Sequence, residues 1–158
     1  MKDYKTDTNK IKEILEKFSV QAEILEFSES TKTSEEAAKA IGCSVGQIAK
    51  SIIFKGKTSE KPILVIASGL NRVNEKKLAE IIGEEIEKAN ANFVREKTGF
   101  VIGGVPPFGH KEKILTFIDE DLMKYEFIWA AAGTPNSVFK IKPEELVKIT
   151  KGSITSLS

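Results

Sequence analysis

The stretch that most constrains the fold is GFVIGGVPPFGH, residues 99–110, which concentrates glycine and proline behind two β-branched residues. Glycine allows positive φ and lets another segment or a ligand approach the backbone closely, whereas proline fixes φ near about −65° and has no N–H donor. The run therefore predicts a stiff loop whose backbone few side chains cover. Because glycine and proline most often mark a structural turn, composition alone gives this loop no function.

Length and composition predict a single domain, residues 1–158, with an N-terminal helix within residues 1–20 packed on it. Hydrophobic residues make up 41% and charged residues 30%, as in an ordinary globular protein. No apolar leader or membrane-length run stands out, so we expect a cytoplasmic protein without a membrane partner. Cys43 is the only cysteine and His110 the only histidine, so we expect no internal disulfide, no metal site and no cofactor.

The charge balance limits the kind of nucleic-acid contact that the chain can make. Its 24 Lys and Arg against 23 Asp and Glu give a formal net charge of +1. This balance argues against tight, nonspecific binding of long nucleic acid over a basic surface. A local basic pocket remains compatible with it.

Apolar periodicity and capping residues predict short helices between strands. Helices are expected over 11–18, from a Thr33–Glu36 capping box to Gly42, over 75–82 behind Asn74, within 91–98, and over 143–150. A short turn is expected from Ser44 through Lys50. Strands are expected over 22–27, 52–54, 63–67, 114–118, 127–132 and 137–141, with the second and third joined as a hairpin. The order predicts a mixed α/β fold with one curved or partly closed mixed sheet flanked by helices.

Signatures of conventional hydrolases are missing. The sequence has no G-x-S-x-G elbow, Walker A motif or H-E-x-x-H motif, and a Ser-His-Asp triad would have to use His110. What remains is the glycine–proline loop and Lys50, which lies in the apolar setting GQIAKSIIF. Lys50 either extends along a helix end towards the last carbonyls or has a role in a site.

Four blocks, in this order and spacing, resemble the YbaK/ProX family of freestanding aminoacyl-tRNA deacylases, whose domain is also inserted in bacterial prolyl-tRNA synthetases. The blocks are TSEEAAKAIGCSVGQIAKSIIF, SGLNRVNEKKLAEIIG, GFVIGGVPPFGH and AAGTPNSVFKI. The resemblance covers roughly Phe27 to Ile149. It implies a curved mixed sheet with one pocket between the lysine and the loop, and hydrolysis of the ester that joins a mischarged amino acid to tRNA.

The resemblance also implies roles for individual residues. Lys50 matches the family lysine that contacts the acylated terminal adenosine, and Gly103 and Pro107 bound the G-x-x-x-P element whose backbone faces the ester and the water. Gly133 matches a glycine turn on the opposite wall. We therefore predict Lys50, Gly103 and Pro107 as catalytic residues. The predicted substrate-binding residues are Gly104, Val105, Pro106, Phe108, His110, Gly133, Thr33 and Ser51.

Two functions follow from this resemblance. The first is a trans-editing deacylase that acts on the 3′ end of aminoacyl-tRNA, with a synthetase such as prolyl-tRNA synthetase as a further partner. The alternative is a non-catalytic module of the same fold that binds tRNA ends or nucleotides and docks on a synthetase. Pro106 and His110 depart from other branches of the family, so the amino acid removed stays open, as does the choice between monomer and homodimer.

Overall fold

The computed structural model describes residues 4–21, 23–28 and 33–158, and these contain five α-helices and two short 3-10 helices. The α-helices are α1 (Tyr4–Lys17), α2 (Ser34–Ile41), α3 (Glu75–Ile82), α4 (Ala91–Thr98) and α5 (Pro143–Thr150), and the 3-10 helices are Val45–Gln47 and Glu120–Lys124. The predicted caps of α2 and α3 are confirmed, since Thr33 and Asn74 each accept a hydrogen bond from a first-turn N–H. Within the described ranges, no helix combines the length and apolarity that crossing a membrane requires.

Eight strands of the described residues form one mixed sheet. They are β1 (Ile24–Glu26), β2 (Ile48–Gly56), β3 (Pro62–Ser68), β4 (Ile86–Lys88), β5 (Leu115–Asp119), β6 (Ile128–Ala131), β7 (Ser137–Ile141) and β8 (Ser153–Thr155). The order is β1-β7-β6-β2-β3-β5-β8, with β4 also paired to β2. The mixed sheet with flanking helices is confirmed, but the path ends at β1 and β8, so the described sheet is open rather than partly closed.

Helices cover both faces of the sheet. On one face, α1, α4 and α5 pack with the glycine–proline loop around the largest hydrophobic cluster, to which Ile11, Val94 and Leu146 belong. On the other face, α3 packs through Leu78 beside Phe54, and α2 packs through Ala37 beside Trp129. Because β3 lies between these layers, all seven of its residues are buried.

Lys50 lies inside a strand, which corrects the expectation that a short turn carries it at a helix end. The 3-10 helix stops at Gln47, and Ile48 already begins β2. Ile48 and Ala49 are drawn into the sheet by parallel pairing with Trp129 and Ala130. That partner lies about eighty positions along the chain, so the local pattern gave no sign of where β2 begins. Lys50 itself pairs with Ala67 across the β2–β3 hairpin.

The edge of β2 opposite β3 is divided between two partners. β6 pairs with β2 at Ile48 and Ala49, and β4 pairs with it from Phe54 to Gly56. In the register of the described residues, neither strand pairs with residues 50–53. The sheet therefore has a gap at the centre of this edge, beside Lys50 and Ser51.

Candidate functional site

A cavity of about 490 Å³ opens at this gap. Its volume lies within the range of small-molecule sites. Residues from both faces of the sheet line it: Thr33, Ser34, Ala37, Ile48, Ala49, Lys50, Ser51, Ile102, Gly103, Val105, Trp129, Ala130, Ala131, Pro135, Ser137 and Val138. The cavity thus brings the start of α2, the centre of β2, the glycine–proline loop and the β6–β7 turn together.

Lys50 contributes the cationic side chain of this cavity. It is half-buried, and it makes no hydrogen bond or ion pair with the residues that the structure describes. Burial lowers the pKa of its amine, Glu35 opposes that effect, and Lys88 and Arg72 add to it. Lys50 is therefore a partly desolvated cation that no hydrogen bond or ion pair holds among the described residues. Such a group is suited to contact an anionic or polar group of a ligand.

The glycine–proline loop presents backbone to the cavity because of a tight turn. Gly104 N–H donates to the Val101 carbonyl at 3.0 Å, and Gly103 at the third position has φ of +88°, the pattern of a type II turn. A Cβ on Gly103 would meet nothing within 4 Å, so this glycine is required by conformation rather than by space.

Gly104 is required for a different reason, which is close approach between two loops. A Cβ there would lie 2.7–2.9 Å from backbone atoms of Thr134 and Pro135. The loop therefore stacks directly on the β6–β7 turn, and the two pocket walls hold each other in place.

The structure brings together five of the eleven predicted site residues. Lys50, Gly103, Val105, Thr33 and Ser51 line the cavity, whereas Gly104, Pro106, Pro107, Phe108, His110 and Gly133 do not. Gly104, Pro106 and Pro107 are buried behind the cavity-facing part of the loop. Their position fits support of the loop rather than direct contact with a ligand in the cavity.

The contacts of Phe108, His110 and Gly133 lie outside the cavity. Phe108 packs edge-on against Phe139 in the core, with ring centroids 5.5 Å apart. Since the Pro106 carbonyl can only accept, His110 donates through Nε2 to that oxygen at 2.6 Å. Gly133 has φ of +100°, and its Cβ position faces Asp7 and Phe100.

Ser51 carries an unusual hydroxyl. Its Oγ is buried and has no hydrogen-bond partner among the described residues. A buried hydroxyl without a partner costs about 1–3 kcal/mol, so such atoms are rare in native cores. At the wall of a cavity, the same atom is a candidate contact for a bound ligand.

Sequence reasoning missed several wall residues. Ile102 is 57% exposed at the tip of the turn, and Trp129, Pro135 and Ser137 complete the opposite wall. An isoleucine directly before Gly103, within a predicted loop, was a usable signal in the sequence, because a loop tip seldom needs a large apolar side chain. The sequence around Trp129 gave no such signal, since its apolar pattern is that of any buried strand.

The SGLN segment, residues 68–71, has a structural role. The buried Asp119 carboxylate accepts hydrogen bonds from Ser68 N–H at 3.0 Å and Asn71 Nδ2 at 2.8 Å, and Ser68 Oγ donates to the Gly46 carbonyl at 2.8 Å. These bonds tie the end of β3 to β5 and to the 3-10 helix that precedes β2. They fix the start of the strand that carries Lys50.

Comparison with known proteins identifies this arrangement. A family model described as an aminoacyl-tRNA editing domain matches residues 28–149. The chain belongs to the aminoacyl-tRNA editing domain family. The resemblance inferred from the four sequence blocks is confirmed, and α1, which packs against the core beside the glycine–proline loop, lies outside the matched region.

Relatives of this editing domain occur both alone and within synthetases. The Bacillus subtilis protein YwhH, itself uncharacterized, is 36% identical over 124 residues, 78% of each chain. The Enterococcus faecalis protein EbsC, provisionally named a Cys-tRNA(Pro)/Cys-tRNA(Cys) deacylase, is 26% identical over 133 residues, 84% of this chain and 80% of that one. A proline–tRNA ligase of Thermoanaerobacter is 28% identical over 113 residues, which are 70% of this chain but 19% of the ligase.

A solved structure shows the same fold at full length. It is described, again provisionally, as a trans-editing enzyme for prolyl-tRNA synthetase. It superposes with a TM-score of 0.89 at 38% identity and covers 96% of both chains. The likeness therefore includes α1 as well as the matched editing region.

Proposed function

We propose that this editing domain hydrolyses the ester bond between a mischarged amino acid and the 3′ end of a tRNA. The observation that carries the proposal is the cavity shared by Lys50 and Gly103, which brings a half-buried cation and an exposed loop backbone to one ligand-sized space. Membership of the editing family and the similarity to proteins named as deacylases support it.

The chemistry needs no side-chain nucleophile. Water adds to the ester carbonyl, negative charge develops on the carbonyl oxygen, and the ribose oxygen leaves and takes up a proton. Fixed backbone dipoles stabilise such an oxyanion without reorganising during the reaction. We assign this role to the cavity-lining loop backbone at Gly103 and Val105, with Pro106 and Pro107 limiting its movement. The resemblance adds that the neighbouring ribose hydroxyl of the tRNA helps to orient the water.

Lys50 would hold the substrate rather than transfer a proton. A half-buried ammonium group beside the terminal adenosine gains more from an anionic or polar partner than an exposed one, because water competes less. Its contact would fix the ester against the loop, and positioning of this kind accounts for much of an enzyme's rate enhancement.

We further infer that tRNA(Pro) is the carrier and that the protein acts in the cytoplasm alongside prolyl-tRNA synthetase. The support is that similar proteins include synthetase-embedded domains and proteins whose names refer to prolyl-tRNA. The 38% identity to a solved structure that is described as a trans-editing enzyme for prolyl-tRNA synthetase favours action in trans.

The test is the loss of the ester from a panel of mischarged tRNA(Pro) substrates. We expect multiple-turnover hydrolysis of at least one of them, and little hydrolysis of Pro-tRNA(Pro). If the protein binds these tRNAs but releases no amino acid from any, it is a binding module and the proposal is wrong.

A further inference from the structure

A second cavity lies beside the first and shares part of its wall. It has a volume of about 230 Å³ and is lined by Ser51, Ile52, Ile53, Lys88, Ala89, Val94, Ile102 and Val105. Ser51, Ile102 and Val105 also line the larger cavity. The two spaces therefore meet at these three residues, directly beside the Gly103 turn.

The smaller cavity is almost wholly apolar. Its lining consists of aliphatic side chains except for Lys88, which is exposed, and Ser51. The Ser51 hydroxyl is buried at the junction without a partner among the described residues. One hydroxyl in an apolar wall is the arrangement that recognises a ligand of small size with a single hydrogen-bonding group.

We propose that the smaller cavity holds the amino-acid side chain of the substrate, and that Ser51 Oγ selects side chains that carry a hydroxyl or a thiol. The inference rests on the proposed function and specifies its substrate class. The larger cavity, with Lys50, then takes the terminal nucleoside, and the ester lies at the junction next to the loop backbone.

The physical reason for the selection is whether the Ser51 hydroxyl gains a hydrogen-bond partner when the substrate binds. With a serine, threonine or cysteine side chain in the cavity, Ser51 gains the partner that it otherwise lacks. With alanine or valine, the hydroxyl stays buried and unpaired. Sites that hydrogen-bond a substrate group discriminate against isosteric analogues more strongly than apolar sites discriminate by one methylene.

The decisive experiment compares threonine with valine, which have nearly the same shape. One tRNA(Pro) transcript is acylated in turn with threonine, valine, serine, alanine, cysteine and phenylalanine, and single-turnover rate constants are measured. For the wild type we expect threonine to be released at least about tenfold faster than valine, and serine at least about tenfold faster than alanine. In Ser51→Ala we expect the Thr/Val ratio to fall to about one or below.

Two controls separate hydrogen bonding from shape and from folding. Ser51→Thr keeps the hydroxyl and should keep the Ser/Ala preference, although its added methyl group should slow threonine. Val105→Ala enlarges the cavity without touching the hydroxyl, so the Thr/Val ratio should stay high while larger side chains gain. The melting temperature of Ser51→Ala should equal or exceed that of the wild type, because the substitution removes an unpaired buried hydroxyl.

Three results would overturn the inference. Hydrolysis in the wild type with a Thr/Val ratio near one, or a ratio that Ser51→Ala leaves unchanged, would remove Ser51 as the selector while the deacylase function stands. A clear drop in the melting temperature of Ser51→Ala would mean that the hydroxyl is bonded within the free protein. Release of no amino acid from any substrate would refute the proposed function and this inference together.

Discussion

Lys50 and Lys55 belong to the same strand but occupy different environments. Lys50 lines the cavity and is desolvated, whereas Lys55 lies over the Phe93 ring, 5.2 Å from its centroid. Both side chains extend from β2, but only Lys50 lines the cavity in which we propose that the substrate binds. The same substitution at Lys50 and at Lys55 therefore separates a functional effect from the general effect of losing a lysine of β2.

We expect Lys50→Met to lower the deacylation rate by at least about 100-fold, the scale seen when a positioned electrostatic contact is removed. Stability should change little, because methionine keeps the apolar stem and Lys50 has no bond to the described residues that would be lost. Lys55→Met serves as the control and should retain activity. The measurements are single-turnover hydrolysis and thermal melting. Full activity of Lys50→Met would remove Lys50 from the site.

His110 supports the loop from behind the cavity. Its bond to the Pro106 carbonyl closes the segment PPFGH, and its ring meets Phe100 edge-on with centroids 6.5 Å apart. Burial lowers the pKa of the imidazole, and Lys10 adds to this, while the Pro106 carbonyl opposes it. The neutral ring with its proton on Nε2 is thus the form that fits this position.

A pH titration tests this assignment without interference, because His110 is the only histidine. We expect its single imidazole NMR signal to titrate below the ordinary value of about 6.5. Since the folded pKa lies below the unfolded one, the stability it contributes is present above about pH 6.5 and is lost as pH falls through the folded pKa. His110→Gln should therefore lose less melting temperature between neutral and mildly acidic pH than the wild type. A signal that titrates above 6.5 would contradict the buried, neutral ring.

At the scale of elements, the site depends on two loops that stack on each other and on a strand whose edge is divided. Gly104 allows the loop contact with Thr134 and Pro135, and the split pairing of β2 leaves room for the cavity. The conformation of Gly103, rather than any side chain, shapes the loop surface to which we assign contact with the ester. The function is therefore expected to be sensitive to backbone changes that cost little stability.

Gly103→Ala and Gly83→Ala form a matched pair for this expectation. Both glycines have positive φ, +88° and +91°, and open space where a Cβ would go, so each alanine should cost about 1–2 kcal/mol of unfolding free energy. Gly83 caps α3 and does not line either cavity. We expect both variants to lose the same free energy of unfolding in urea. Only Gly103→Ala should also lose deacylation activity. Retained activity in Gly103→Ala would show that the turn does not position the reaction.

The same elements show how far the sequence could be interpreted. The β2–β3 hairpin, the caps Thr33 and Asn74 and the loop at Gly103 rest on local chemistry, and they were predicted correctly. Lys50 pairs with Ala67 across that hairpin, but the apolar pattern did not show that β2 begins as early as Ile48, where the partner is the distant Trp129. β4 and β8 were missed because each has three residues and gives no alternating pattern. The unpaired Ser51 hydroxyl follows from packing, which a sequence does not specify.

At the scale of the whole molecule, charge is nearly balanced but not evenly spread. The net charge is +1, yet Lys88 and Arg72 are close enough to depress the pKa of Lys50, and Lys88 also lines the smaller cavity. Lys50 lines the larger cavity, so these three cations form the local positive charge that a tRNA 3′ end bound there would meet. Affinity for tRNA should therefore come from a few local phosphate contacts rather than from a basic surface.

The dependence of tRNA binding on salt measures how many contacts there are. A single-stranded end contributes a slope of about −0.7 in log K against log[salt] for each neutralised phosphate, so three contacts give about −2. We expect modest affinity with a slope of this size. Arg72→Ala and Lys88→Ala should each reduce its magnitude by about 0.7. Lys148→Ala, on the exposed side of α5, is the control and should leave it unchanged. A slope that implies more than about six contacts would mean that the tRNA body binds over a wide surface, since the described cations around the two cavities are too few to neutralise that many phosphates.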